Sequence, residues 1–354
     1  MSEGSLRFGI VGAGGIAQAY AQAFDGCTAA RIVAVADVRP EAARALAERV
    51  GGQAYESHAA MARRARLDAV IVCTPPATHP EICQFFLERE VHVLCEKPFT
   101  IDVRSARRLV ETAERVGVKL TMGSKFRYVD DVIRAKSIVT SGILGEIILF
   151  ENAFTARVDM SARWNADPAV SGGGVLIDNG SHAVDLMRYF LGPLVDVQAV
   201  EGKRVQGLAV EDTVRILVHS EGGVMGSIDL SWSINKELPS YVNIYGSHGT
   251  ITVGWKESRY RQSSSSDWIV FGRGYDKVQA FRSQLVNFAR AILGREMLLI
   301  TAEDALASVE TIEAAYRSLR QTQWTAVEHA VAAAAPPAPR ANGRAAAPPL
   351  AGVA

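Results

Sequence analysis

Three side chains have types and spacing suited to proton and oxygen chemistry: Lys97 in "VLCEKPFT" (93–100), and Asp178 and His182 in "SGGGVLIDNGSHAVDLMRYFLG" (171–192). A strand buried on both faces ordinarily ends in Gly, Asn or Asp. This one runs into Glu96, Lys97 and Pro98. In open parallel sheets the ligand crevice lies just beyond the carboxyl ends of the strands, so Lys97 stands where a ligand would. Pro98 biases Lys97 toward an extended backbone. The same residues would also suit a solvated turn, and Glu96 either anchors that turn or tunes the lysine.

If the second segment is helical from about Gly173, then at about 100° per residue Asp178, His182 and Asp185 fall within about 60° of one another. Leu176, Met187 and Phe190 fall on a different, apolar side. A carboxylate at i, i+4 can hydrogen-bond an imidazole, fix its tautomer and raise its basicity. That is equipment for general acid/base work on a hydroxyl or carbonyl. A capping or solvated polar face near a glycine-rich helix start is the competing reading.

A second constellation would bring a partner molecule to that crevice. "FGIVGAGGIAQAY" places Gly12, Gly14 and Ala17 in a G-x-G-x-x-A turn after a strand, with Gly15 and Ile16 opening a helix. Gly12 permits the tight turn, Gly14 leaves room for a pyrophosphate, and Ala17 lets helix and sheet pack closely. The helix N-terminus adds free N–H groups and a positive dipole end. The second strand ends at Asp37, which can accept from adenosine ribose hydroxyls and would repel a 2′-phosphate. This favours NAD. Arg39, two residues on, can accommodate the extra phosphate, so NADP is not excluded. A further strand end, "VIVCTPPATHPEI", places Thr74, Pro75 and His79 beside the nicotinamide end of such a cofactor. A proline-assisted helix start with Thr78 as N-cap accounts for the same residues structurally.

The elements that must position these groups are legible as alternation. "LRFGIV", "RIVAVAD", "DAVIVCT", "VHVLCE" and "VKLTMG" read as strands, with amphipathic helical stretches between them. The pattern predicts βαβ units and a doubly wound parallel sheet over residues 1–124. After a helical segment near Val129 to Thr140, the runs "EIILFENAFTA", "DTVRILVHS", "VMGSIDLSW" and "SYVNIYGS" predict an antiparallel sheet in a second α/β domain over 125–330. One long helix interrupts them around Gly172 to Leu191. Another, "AEDALASVETIEAAYRSLRQ", is placed to pack back on the first domain. From 331 to 354 the chain is Ala and Pro with scattered Arg and Gly, which predicts a disordered tail.

Composition narrows the function classes. The 354 residues carry 38 Lys plus Arg against 38 Asp plus Glu, which disfavours binding nucleic acid through its phosphates. The apolar run Leu6 to Val11 is too short for a signal peptide or a membrane span, so a cytoplasmic protein is expected. The four cysteines, Cys27, Cys73, Cys83 and Cys95, show no CxxC spacing, and no metal site is expected.

Taken together, "GIVGAGGIA", "TPPATH", "EKP" and "GGGVLIDNGSHAVDL" resemble, in order and spacing, the Gfo/Idh/MocA oxidoreductases. The resemblance covers about residues 6 to 325. It implies an N-terminal Rossmann domain binding NAD or NADP. It also implies a C-terminal α/β domain whose open sheet commonly forms a subunit interface, hence a homodimer or homotetramer. It makes Lys97, Asp178 and His182 the catalytic residues: the histidine removes the hydroxyl proton, the aspartate orients the histidine, and the lysine hydrogen-bonds the reacting oxygen. It places Glu96 and Lys97 at the cofactor. "MGSKFRY" points to Lys125 and Arg127 as substrate contacts, with a surface ion-pair role as the alternative, and Trp164 in "ARWNADP" is suited to stack on an apolar sugar face or to fill a core position. Asn179 stands where many members carry an apolar residue and is a further substrate candidate.

The activity implied is hydride transfer between nicotinamide and a secondary alcohol or ketone of a sugar, cyclitol or related polyol. Two other readings use the same fold. One is an NAD-dependent glycosidase that oxidises a sugar transiently, as in glycoside hydrolase family 109. The other is a non-catalytic sensor like the galactose-regulon repressor.

Overall fold

β-branched and aliphatic runs, bounded by glycine and polar turns, fold into two sheets in the computed structural model, which describes residues 5–328. The Ala/Pro-rich segment from 331 lies outside the described residues. The first sheet has six parallel strands: β1 (Leu6–Val11), β2 (Ala30–Ala36), β3 (Gln53–Tyr55), β4 (Ala69–Val72), β5 (His92–Glu96) and β6 (Leu120–Gly123). Their order is β3-β2-β1-β4-β5-β6, so the winding reverses between β1 and β4. Connections leave that point in opposite directions, which opens a crevice at the carboxyl ends of the strands. The short edge strand β3 was not anticipated from the sequence.

Five helices cover this sheet: α1 (Gly15–Phe24), α2 (Pro40–Val50), α3 (His58–Arg64), α4 (His79–Leu87) and α5 (Val103–Val116). Their ends follow local chemistry. Asp102 caps α5 by accepting from the Ser105 N–H at 2.8 Å, and Gly117 ends it in the left-handed conformation.

The second sheet has nine strands: β7 (Ile147–Thr155), β8 (Leu194–Glu201), β9 (Thr213–Ser220), β10 (Met225–Ser231), β11 (Ser240–Gly246), β12 (Gly249–Gly254), β13 (Ser258–Gln262), β14 (Ile269–Gly272) and β15 (Thr325–Ala326). Their order is β14-β13-β12-β11-β7-β10-β9-β8-β15. The expected antiparallel pairing holds except between β7 and β10, which are parallel. The exception follows from the chain path. A helical crossover between β7 and β8 returns the chain in the same sense, and two reversals later β10 meets β7 running the same way.

Helices α6 (Asp130–Thr140), α7 (Pro168–Ser171) and α8 (Val175–Leu191) belong to this second unit. The three glycines 172–174 separate α7 from α8, so the long helix expected around Gly172 to Leu191 begins at Val175. Leu176, Val184, Met187 and Phe190 of α8 pack with Phe150, Ile216 and Ile228 of the sheet, so the helix carrying Asp178 and His182 is fixed by its apolar side.

Two later helices, α9 (Lys277–Ile292) and α10 (Ala302–Gln321), return to the first sheet. Leu306 and Val309 of α10 join Phe99 and Leu109, as the sequence anticipated. The α9 helix was not singled out from sequence, yet Phe281, Leu285 and Phe288 complete the cluster around Phe8 and Tyr20. The Tyr20 and Phe281 rings meet edge-to-face at 4.7 Å. Among the described residues no helix is long and apolar enough to cross a membrane.

Candidate active site

The crevice at the strand reversal is a cavity of about 660 Å³ lined by Gly12, Gly14, Gly15, Asp37, Arg39, Thr74, Pro75 and Trp164 among others. This lies within the size range of cofactor sites. Gly12 has φ +93, and a Cβ there would stand 2.8 Å from the Cys73 carbonyl group. Gly14 and Gly15 face open space, so a pyrophosphate can approach the backbone closely. The first turn of α1 has neither an acidic residue nor a side-chain cap, which leaves its N–H groups directed at the cleft.

Asp37 lines the same cavity. One carboxylate oxygen accepts from the Ala13 N–H at 2.6 Å, and the other from the Arg39 N–H at 2.8 Å and Nε at 3.3 Å. Burial works to raise its pKa, but these hydrogen bonds and the Arg39 charge hold the carboxyl below its ordinary value. The cradle, helix terminus and carboxylate together fit a nicotinamide dinucleotide. The Ile16 side chain, in the first turn of α1, packs against the core cluster around Phe8 and Tyr20.

At the end of β5, Glu96 turns inward. Its carboxylate accepts from Tyr20 Oη at 2.7 Å and from the Lys97 N–H at 3.2 Å, and it is buried. Burial pushes this carboxyl above its ordinary value against those hydrogen bonds and the nearby lysines. Glu96 therefore anchors the turn, one of the two roles the sequence left open. The turn leaves Lys97 reaching across to α8, where Nζ lies 2.5 Å from Asp178 Oδ1 and 3.3 Å from the Asp178 carbonyl. Both side chains are 17% exposed, so the pair is sheltered yet reachable.

His182 is buried one turn further along α8. The expected i, i+4 bond to Asp178 is replaced, since Lys97 takes that carboxylate. Nδ1 instead meets Ser124 Oγ at 3.1 Å, and Nε2 meets Lys125 Nζ at 3.3 Å. Burial first, then the charges of Lys125 and Lys97, hold this imidazole well below its ordinary pKa, so it is neutral near pH 7. Burial and the Lys97 charge likewise push Lys125 down to about 8. The α8 start is held by buried Glu211, whose Oε1 accepts from the N–H groups of Gly174 at 2.9 Å and Leu176 at 3.1 Å.

The other candidates divide. His79 is buried, with Nε2 2.8 Å from the Thr74 carbonyl and Nδ1 2.9 Å from the Pro98 carbonyl. It braces the β4 loop against the Lys97 turn and offers no group to the cofactor. Arg127 is also withdrawn from any substrate. It pairs with Asp185 through Nη2, and its Nη1 reaches Asp304 and the Leu299 carbonyl, both at 3.0 Å. Trp164 lines the dinucleotide cavity, reaching it from the second unit. Asn179 is half-buried next to Asp178. Sequence reasoning passed over Ser124, Tyr20 and Glu211. Ser124 lies inside the quoted "MGSKFRY" and Tyr20 ends the quoted "FGIVGAGGIAQAY", whereas Glu211 carried no local signal.

Residues 6–124 match the family pattern described as oxidoreductase family, NAD-binding Rossmann fold, and residues 132–252 match the GFO/IDH/MocA C-terminal domain. An inositol 2-dehydrogenase of Rhizobium meliloti (strain 1021) is 27% identical over 339 residues, covering 91% of this chain and 99% of that protein. An inositol 2-dehydrogenase of Rubrobacter xylanophilus is 31% identical over 257 residues, covering 70% and 71%. The solved structure of a levoglucosan dehydrogenase in complex with NADH and levoglucosan aligns with a TM-score of 0.85 at 19% identity, over 92% of this chain and all of that one. With both family domains matched and the dinucleotide cradle in place, the chain belongs to the Gfo/Idh/MocA oxidoreductases and carries that family's NAD-binding Rossmann domain.

Proposed function

We propose that this protein is an NAD(P)-dependent dehydrogenase interconverting a secondary alcohol and a ketone on a sugar, cyclitol or related polyol. The observation that carries the reading is the pairing of Lys97, at the end of β5, with Asp178 of α8, with His182 one turn along that helix against Lys125, at the same end of the sheet as the dinucleotide cleft. The names of the relatives support the substrate class. When bound, the nicotinamide supplies the hydride acceptor or donor.

The chain's own residues manage position and protons. Asp178 holds the Lys97 ammonium in place, and Lys97 donates a hydrogen bond to the reacting oxygen. Neutral His182 takes the hydroxyl proton at Nε2 in the oxidising direction and returns it in the reducing one. Lys125 sits at that nitrogen and must yield to the substrate oxygen. Trp164 bears on the bound dinucleotide, and half-buried Asn179 is suited to a substrate hydroxyl.

The test is a panel of polyols, cyclitols and sugar derivatives with NAD and NADP in parallel, followed at the reduced-nicotinamide absorbance band, with product analysis to locate the oxidised carbon. Net NADH formation with a polyol or sugar supports the reading. Release of an aglycone from a glycoside without net reduction of cofactor would replace it with the transient-oxidation glycosidase.

A further inference from the structure

Ser124 follows β6 directly and is fully buried. Its oxygen lies 3.1 Å from His182 Nδ1. The same hydroxyl works to keep the neighbouring Asp185 carboxyl charged, against its burial. Asp185 is itself fully buried. Its carboxylate is held by Arg127, through Nε at 3.2 Å and through Nη2, which also reaches the Asp185 carbonyl at 3.2 Å. Arg127 is fixed in turn by Leu299 and Asp304.

A hydroxyl has one proton and two lone pairs, so toward Nδ1 Ser124 can donate or accept, and the far side of the ring decides which. Nε2 faces the Lys125 ammonium at 3.3 Å, a donor that requires a lone pair there. Nδ1 therefore carries the hydrogen and donates it to Ser124 Oγ. The opposite tautomer would set an N–H against an ammonium. Phe126 closes the ring edge-on at 5.1 Å, which restricts reorientation of the imidazole.

We propose that Ser124 is a positioning residue for the reaction, accepting from Nδ1–H of His182 and so holding the basic lone pair of the ring on Nε2. The inference rests on His182 as the proton acceptor assigned above. It gives the orienting role to Ser124, leaving Asp178 to Lys97. A hydroxyl at Nδ1 holds the tautomer without placing a charge directly on the ring, so His182 stays neutral and ready to accept.

The experiment is nitrogen-15 NMR of histidine-labelled full-length protein without substrate, with His182→Gln used to assign the His182 resonances. The wild type should show a protonated Nδ1 and an unprotonated Nε2, and Ser124→Ala should show a mixture of tautomers or the reversed one. In turnover, Ser124→Ala should lose roughly tenfold to a hundredfold in kcat with KM within about twofold. Ser124→Thr, which keeps the hydroxyl, should recover most of it. Ser124→Cys, which keeps the volume and weakens the acceptor, is the second variant and should shift the tautomer as alanine does. Hydrogen found on Nε2 in the wild type overturns the proposal, as does an unchanged tautomer in both the alanine and cysteine variants. The NMR result does not depend on the substrate's identity, so failure here is separable from failure of the dehydrogenase reading.

Discussion

Lys97 Nζ lies 2.5 Å from Asp178 Oδ1, so the ion pair at the centre of the site also joins the end of β5 to α8. Removing the ammonium should affect chemistry more than cofactor affinity, because the pyrophosphate cradle is formed by other residues. Lys97→Met is expected to lower the chemical step by roughly 10²-fold or more while NAD affinity changes by no more than a few-fold. Single-turnover kinetics beside a fluorescence titration of NAD measures both, and equal losses in the two would contradict this division.

The lysine at His182 gives the reaction a pH signature. Below about pH 8, Lys125 carries a proton and donates to Nε2; above it, the neutral amine leaves Nε2 unencumbered. Alcohol oxidation should therefore rise with pH through about 8. In Lys125→Met that limb should flatten in a profile of kcat/KM against pH. Persistence of the same limb in the variant would assign it to another group.

Acid stability should depend on buried histidines. His79 and His182 are both held below their ordinary value of 6.5, chiefly by burial. The unfolded chain then binds protons that the folded chain refuses, so their contribution is present above about pH 6.5 and is lost as pH falls below it. Denaturant midpoints measured between about pH 7 and 5 should fall, and His182→Gln should reduce the slope. An unchanged slope would show that His182 takes up its proton equally well in the folded state.

Arg127 is expected to serve stability more than substrate binding. Arg127→Met leaves the Asp185 carboxylate buried without its cation, a loss of about 3–5 kcal/mol for a broken buried pair. Urea unfolding reads this directly. A variant of ordinary stability with a raised KM would return Arg127 to the substrate site.

The sequence disclosed what is local and withheld what is tertiary. The Gly12–Ala17 turn, Asp37 at the end of β2 and Lys97 at the end of β5 are each set by their own strand and turn, and the alternation of elements determines where those turns open. Arg127 was misread because a cation just after a strand looks exposed, whereas its partners Asp185 and Asp304 lie 58 and 177 residues away. His79 sat in the right loop, but only packing shows that its ring faces two carbonyls. The spacing of Asp178 and His182 allowed a direct bond. Lys97, from the other sheet, decided against it. The α9 helix went unremarked because its apolar stripe acquires meaning only when it covers the first sheet's cluster around Phe8.

The most direct test of the account is turnover by His182→Ala on a polyol or sugar substrate, with NAD binding measured in parallel. The account predicts a loss of roughly 10²-fold or more in kcat with NAD affinity retained, the size of an acid/base contribution. Turnover near the wild-type rate would contradict His182 as the proton acceptor.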